Sequence, residues 1–368
     1  MRTVATKTYF AQFMSSGSLF AAMIFVSIIL EKQMNATPLE IGFVVTGYAA
    51  ALFISSVLIG RAADIKGRRK YLRIGFALAS AATILQIFAG NTLSLLLIRI
   101  LLGTAAGMIQ SVLFAYFLYE TQGKVGKFSS VGALGWGCGS FIAGAIGDPV
   151  LVFVFSAGLM MIAGIVVFTL PMTEEKKYEV PLFPKRIFKE NAAVYISVLI
   201  RHTGANLVWV TYPLFLMDVL HADALWVGII YTVNALGQFF VMSRIDPFKS
   251  TSLIIIGFGL SALTFLGFSM TMTVYEIIPF QILLACAWSA LYVGSLKYVT
   301  ERSPEKATSM GWLQGMISIA GIVGPVIGGT LDVAVGYRMT MLIAMILSII
   351  GLGVFLLAQK REPIAIAS

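Results

Sequence analysis

Arg201 and His202 stand side by side about ten residues into an apolar run, and Asn206, Trp209 and Tyr212 follow them at helical spacing. At 1.5 Å of rise per residue, Arg201 lies roughly 15 Å along that run, near the middle of a hydrocarbon core of about 30 Å. His202, Asn206 and Trp209 share one helical stripe, and Arg201 and Tyr212 share the adjoining one. A guanidinium at this depth can grip a carboxylate or phosphate through two parallel N–H bonds. His202 is one of two histidines and the deep group whose titration falls near neutral pH, which makes it the candidate for coupling a proton. The alternative is a structural arginine bonded to main-chain carbonyls or snorkelling inward.

Arg99 is the second deep charge, and Arg99, Gly103, Ala106 and Gln110 share a stripe. Charge inside a membrane helix is costly and faces the bundle interior. All 17 Asp and Glu fall in loops or within about a turn of a helix end. A carrier of organic cations needs an acid at depth. Two deep arginines without one define an electropositive cavity that an anion can neutralise. Polar and aromatic residues recur in several spans: Tyr48, then Tyr231, Asn234 and Gln238, then Gln281, Trp288 and Tyr292. Each can be interhelical glue, and together they fit a central polar path.

The elements that must position these residues are legible in composition. The chain is 58% hydrophobic and 12% charged, with a mean hydropathy of +0.91, where soluble domains carry about 25% charge. Windows of about 20 apolar residues give twelve spans: 8–31, 39–60, 71–90, 92–119, 128–147, 149–170, 191–217, 223–243, 251–272, 275–299, 307–331 and 337–358. The net charge of +9 is a topology signal and calls for no nucleic acid. Of the 26 Lys and Arg, only Lys32 and Arg338 fall on the side opposite the N-terminus, and Arg99 and Arg201 fall inside spans. By the positive-inside rule both termini are cytoplasmic, in the cell membrane. Met1–Lys7 lacks a signal-peptide pattern, so the first span is expected to stay in the chain. Cys138 and Cys286 sit mid-span and read as small packing residues.

The longest polar stretch, 171–190, separates an N-terminal six-span bundle, 1–170, from a C-terminal one, 191–368. Phe183–Lys189 mixes basic and aromatic residues, which fits a short interfacial helix. The halves share faint kinship. Glu40-Ile41-Gly42 matches Trp226-Val227-Gly228, and Gly139-Ser140-x-x-Ala143-Gly144 matches Gly324-Pro325-x-x-Gly328-Gly329. The glycines of the fifth and eleventh spans serve either tight packing or surfaces that rock during alternating access.

Between the second and third spans runs Gly60-Arg61-Ala62-Ala63-Asp64-Ile65-Lys66-Gly67-Arg68-Arg69-Lys70. This pattern, Gly-x-x-x-Asp-x-x-Gly-Arg-Arg, resembles the loop between helices 2 and 3 of the major facilitator superfamily. Arg99-x-x-x-Gly103-x-x-x-Gly107 and Gly324-Pro325-x-x-Gly328-Gly329 resemble that family's helix 4 and helix 11 patterns. The resemblance covers the full length. It implies an all-α polytopic fold of twelve transmembrane helices in two six-helix bundles. It also implies a latch role for Gly60, Asp64, Gly67 and Arg68, with Glu120 a second possible partner for the loop cations, and links Arg99 to coupling. Ile65 departs from the family, which has Arg or Lys there, and Ser243-Arg244-Ile245-Asp246-Pro247-Phe248-Lys249 reads as an eroded copy of the loop in the second half. Topology alone is the other reading of the loop.

The expected function is secondary transport of a small organic or phosphorylated anion, with a coupling proton or counter-transported solute. Its substrate-binding residues are expected at Arg201, His202, Asn206, Trp209, Tyr212, Tyr48, Gln110, Asn234, Gln238, Trp288 and Tyr292, with coupling at Arg99 and His202. An exporter of lipophilic or neutral compounds, suggested by Trp136, Trp209 and Trp288, and a non-transporting receptor are the alternatives. No His/Cys metal spacing and no phosphate-binding Gly-Lys-Ser/Thr loop occurs, so no metal, cofactor or enzymatic activity is expected. The expected state is a monomer embedded in lipid.

Overall fold

A computed structural model describes residues 2–36, 38–171, 177–181, 183–209 and 211–361. Glu174, Glu175 and Lys176 of the central polar stretch lie outside them. Twelve long helices carry the described chain: α1 Arg2–Lys32, α2 Pro38–Lys66, α3 Arg68–Gln86, α4 Thr92–Thr121, α5 Val125–Ile146, α6 Pro149–Phe168, α7 Lys185–Trp209, α8 Ala224–Met242, α9 Ser250–Met270, α10 Val274–Arg302, α11 Lys306–Val335 and α12 Tyr337–Arg361. Each span read from the sequence, the seventh excepted, falls on one of them. Among the described residues, eight are long and apolar enough alone to cross a membrane, and α7 joined to its bent continuation makes a ninth. The solvent-facing pattern is inverted: Ile165, Met270 and Val326 are about two-thirds exposed, as a lipid-facing surface requires.

Short polar caps explain how so little chain makes the turns. Asn91 accepts from the Ser94 amide at 2.9 Å while Ser94 Oγ accepts from the Asn91 amide, a reciprocal cap on α4. Asp148 and Asp223 accept from Leu151 and Trp226 amides at 2.8 Å to start α6 and α8. Two expectations need correction. The Gly60–Lys70 stretch is not an open loop, because α2 runs on to Lys66 and only Gly67, at φ 105°, breaks the helix. The seventh span is not one helix either. It stops at Trp209 and resumes at Tyr212–Leu214, bent by 44°, ending in a π-turn at Phe215–Val219. Pro213 is the cause: in a continuous helix its ring would meet the Trp209 carbonyl. The helix of the second half also starts early, at Lys185, inside the stretch read as linker.

Helices α1 to α6 pack on one another, as do α7 to α12. Across the seam, α2 lies against α11, α5 against α8, and α4 against α11. Part of the expected glycine packing is found within halves: Gly135 and Gly139 of α5 sit on Phe13 and Gly17 of α1, and Gly324 and Gly328 of α11 sit on Asn206 and Leu207 of α7, whereas Gly144, Gly321 and Gly329 press on no neighbour among the described residues. The seam uses others. A Cβ on Gly60 would lie 2.5 Å from the Ala307 carbonyl oxygen, and one on Gly311 would strike the Ser56 carbonyl. These contacts fall in the halves of α2 and α11 nearest Gly67, which we call the basic face. At the opposite ends, a Cβ on Gly42, Gly144, Gly228 or Gly329 would meet open space.

Candidate functional site

The deep site is built on α7, α9 and α10. Arg201 is 2% exposed. Its Nε donates to Ser261 Oγ at 3.0 Å, and Ser261 donates onward to the Gly257 carbonyl at 2.7 Å. Its guanidinium carbon lies 5.7 Å from the Phe265 ring and 5.5 Å from the Trp288 ring. Nη2 is buried with no hydrogen-bond partner among the described residues. His202 stacks on Trp288 with ring centroids 4.9 Å apart, and its Nδ1 is also buried without a partner. Trp288 stacks in turn on Tyr292 at 5.1 Å. Tyr292 borders a narrow space between the halves, lined also by Gln110, Ser111, Phe114 and Gln314. The structure therefore joins Arg201, His202, Trp288, Tyr292 and Gln110 in one row, from the core of the second half to the seam.

The other expected residues fall elsewhere. Asn206 donates to the His202 carbonyl at 2.8 Å, a bond within its own helix. Trp209 meets Tyr212 edge-on at 5.1 Å. Tyr212, Asn234 and Gln238 enter a buried chain: Gln238 Nε2 donates to Asn234 Oδ1 at 2.6 Å, Asn234 Nδ2 to Gln281 Oε1 at 3.0 Å, and Gln281 Nε2 to the Tyr212 hydroxyl at 2.6 Å. This chain ties α7's continuation, α8 and α10 together and satisfies four groups that lipid could not. In the first half, Arg99 lies 4.3 Å above the Tyr48 ring and donates to Gln86 Oε1 at 3.3 Å, with its Nε buried and without a partner. Ser261 and Gln86 escaped the sequence reading. A lone hydroxyl or amide inside an apolar run was the signal for each.

A second cluster closes the basic face. Asp64 is fully buried and does two things at once. Its Oδ1 accepts from Arg68 Nη2 at 2.9 Å, and its Oδ2 accepts from the Thr308 amide at 2.8 Å and hydroxyl at 2.9 Å. Thr308 lies in the first turn of α11, where amides have no partner within the helix and the dipole favours a carboxylate. Arg68 is 3.7 Å above the Tyr119 ring, and the Tyr119 hydroxyl donates to the Pro304 carbonyl of the other half. Glu120 pairs with the next cation, Arg69, at 2.7 Å. The connecting segment lies over this cluster: the Tyr178 amide donates to the Asp64 carbonyl at 2.9 Å, and Arg61 Nε to the Pro181 carbonyl at 2.8 Å.

The stretch read as eroded in the second half has a counterpart geometry. Asp246, after α8, accepts from the Gly126 amide at 2.7 Å and the Lys127 amide at 3.0 Å, in the first turn of α5. The same sequence offset separates Asp64 from Asp246 and Gly126 from Thr308. That shared offset was the signal that could have found it. Among the described residues no group of three or more His, Cys, Asp or Glu is placed to hold a metal ion.

Comparisons with known proteins place this architecture. The sequence model of the Major Facilitator Superfamily matches residues 8–193 and 194–367. An uncharacterised MFS-type transporter of Methanocaldococcus jannaschii, MJ1560, is 27% identical over 125 residues, a stretch covering 33% of this chain and 32% of that one. The chain thus spans about a third of that relative's length in the match. The crystal structure of the human organic anion transporter MFSD10 (TETRAN) superposes with a TM-score of 0.79 at 14% identity, over 96% of this chain and 99% of that one. Two six-helix halves and a family match running the length of both lead to one conclusion: the chain is an integral membrane protein of the Major Facilitator Superfamily, a family of secondary transporters and not of enzymes.

Proposed function

We propose that the protein carries a small organic or phosphorylated anion across the cell membrane by alternating access of its two halves, with the basic face and both termini in the cytoplasm. One observation carries the substrate class. Its two deep charges, Arg99 and Arg201, each keep a buried N–H without a partner, and no carboxylate pairs with either among the described residues. A buried cation without a counter-charge is costly, and a bound anion offsets that cost. The human protein of similar fold is an organic anion transporter; at 14% identity that likeness speaks for the fold, and the anion reading rests on this chain's own arginines.

On this reading the structure is the outward-facing form. The Asp64 and Asp246 contacts hold the cytoplasmic ends together, while glycines at the far ends of the seam helices face open space. His202, with Nδ1 buried beside Arg201, is the coupling group. Protein reconstituted in liposomes is expected to take up labelled anions saturably, and Arg201→Gln to lower uptake at least tenfold. Unchanged uptake by Arg201→Gln sinks the proposal. The His202–Trp288–Tyr292 stack favours a second reading, export of lipophilic neutral compounds. Counter-screening with neutral aromatic solutes separates the two.

A further inference from the structure

We infer that the anion held at Arg201 is a monovalent carboxylate carried on an aromatic ring, and that Trp288 is the residue that selects the ring; this rests on the anion reading above. The argument begins with the supply of donors. Arg201 spends Nε on Ser261, and its other recorded neighbours are two aromatic faces, Phe265 and Trp288. One guanidinium with an unpartnered Nη2 matches one carboxylate in charge. A phosphate carries close to two charges and three strong acceptor oxygens at neutral pH, and needs a second cation or several amides to leave water. Neither is recorded around Arg201 among the described residues. Its immediate surroundings suit an apolar body.

The body they suit is flat. Trp288 stacks on His202 at an interplanar angle of 28° and on Tyr292 at 21°, so three π systems line the way from Arg201 to the narrow space at Gln110. Trp288 is half-buried, whereas Arg201 is 2% exposed. A ligand arriving from the seam therefore meets Trp288 before it meets the guanidinium. An aromatic ring can insert into or replace a member of this stack and keep offset π contacts that a saturated ring cannot make. Such pairs favour the aromatic ring roughly 3- to 10-fold over area burial alone.

The test uses the full chain in lipid nanodiscs and four probes: benzoate, cyclohexanecarboxylate, benzamide and inorganic phosphate, each titrated calorimetrically. Benzoate is expected to bind about 3- to 10-fold tighter than cyclohexanecarboxylate, with no saturable signal from benzamide or phosphate. Trp288→Leu should abolish the difference, so that benzoate and cyclohexanecarboxylate bind alike. Trp288→Tyr, which keeps a ring in the stack, should keep the preference and guards against a folding defect. Equal affinity for the two carboxylates, phosphate binding as tightly as benzoate, or a ring preference that survives Trp288→Leu overturns the inference and leaves the anion reading standing. Benzamide binding as well as benzoate, or benzoate binding to Arg201→Gln at wild-type affinity, overturns the anion reading itself and the inference with it.

Discussion

The junction after α2 and the junction after α8 place a carboxylate in the same position by different means. Asp64 and Asp246 each accept amides from the first turn of a helix in the opposite half, α11 and α5 respectively. At the first junction the carboxylate is fully buried, paired with Arg68, and enclosed by Tyr119 and the Tyr178 segment. At the second it is half-buried, and its main-chain carbonyl accepts from Lys297 at 2.7 Å. The close approach of the helices is conserved in geometry but not in residue. Gly60 of α2 makes room for the Ala307 carbonyl of α11, whereas across the other seam Gly126 of α5 makes room for the Met242 carbonyl of α8. What the two sites share is a carboxylate on a helix start with a contact glycine beside it. The basic residues around them are free to differ.

That difference predicts unequal consequences. Asp64→Ala removes the carboxylate from a guanidinium that is 3% exposed. Breaking one side of a buried pair costs about 3–5 kcal/mol, and the cost falls only on the closed arrangement, because parting α2 from α11 lets water reach Arg68. The equilibrium should then shift by about two to four orders of magnitude toward separation of the basic face. Spin labels at the exposed Lys70 and Lys189, one on each half, should report a longer distance by dipolar spectroscopy. An unaltered distance distribution would mean that Asp64 does not hold the halves together.

Asp246→Ala sharpens the comparison. This carboxylate is half-exposed and acts as a helix cap, so its loss should cost about 1 kcal/mol, with a further few tenths from the α5 dipole. The same label pair should show an equilibrium shift of about one order of magnitude, at least an order less than with Asp64→Ala. If the two variants shift equally, the Arg68–Tyr119 enclosure adds nothing, and the capping bond alone sets the strength of each junction.

The fold was largely legible before any coordinates, because long apolar runs and one-sided charge are dictated by the bilayer and need no tertiary detail. Asp64 was legible as a candidate because its neighbours are distinctive: Gly67, Arg68 and Arg69 flag it, whereas Ser243, Arg244 and Pro247 gave Asp246 no such flag. Stripe reasoning on single helices put His202 and Asn206 on one face, and the Asn206 amide bonds back to the His202 carbonyl. It could not tell that Asn234 and Gln238 would turn to Gln281 and Tyr212, since which amide finds which partner depends on rotation between helices. The break after Trp209 was written in Pro213 but was outvoted by hydropathy, which is blind to a missing N–H.

The smallest effect bears on the open end of the same helices. Gly42 of α2 and Gly228 of α8 are sequence counterparts, and a Cβ on either meets no atom within 4 Å. Both have helical backbone, so alanine carries no conformational penalty and gains up to about 1 kcal/mol in helix propensity. In the arrangement seen, Gly42→Ala and Gly228→Ala should leave the Lys70–Lys189 distance unchanged and raise the melting temperature slightly. The matching pressure appears only when the far ends close. If Gly42 and Gly228 become contact glycines there, as Gly60 and Gly126 are here, the variants should slow turnover while leaving substrate affinity in the arrangement seen intact. Turnover equal to the parent protein would show that the far-end crossing uses no glycine, and that the two ends of the seam are not built alike.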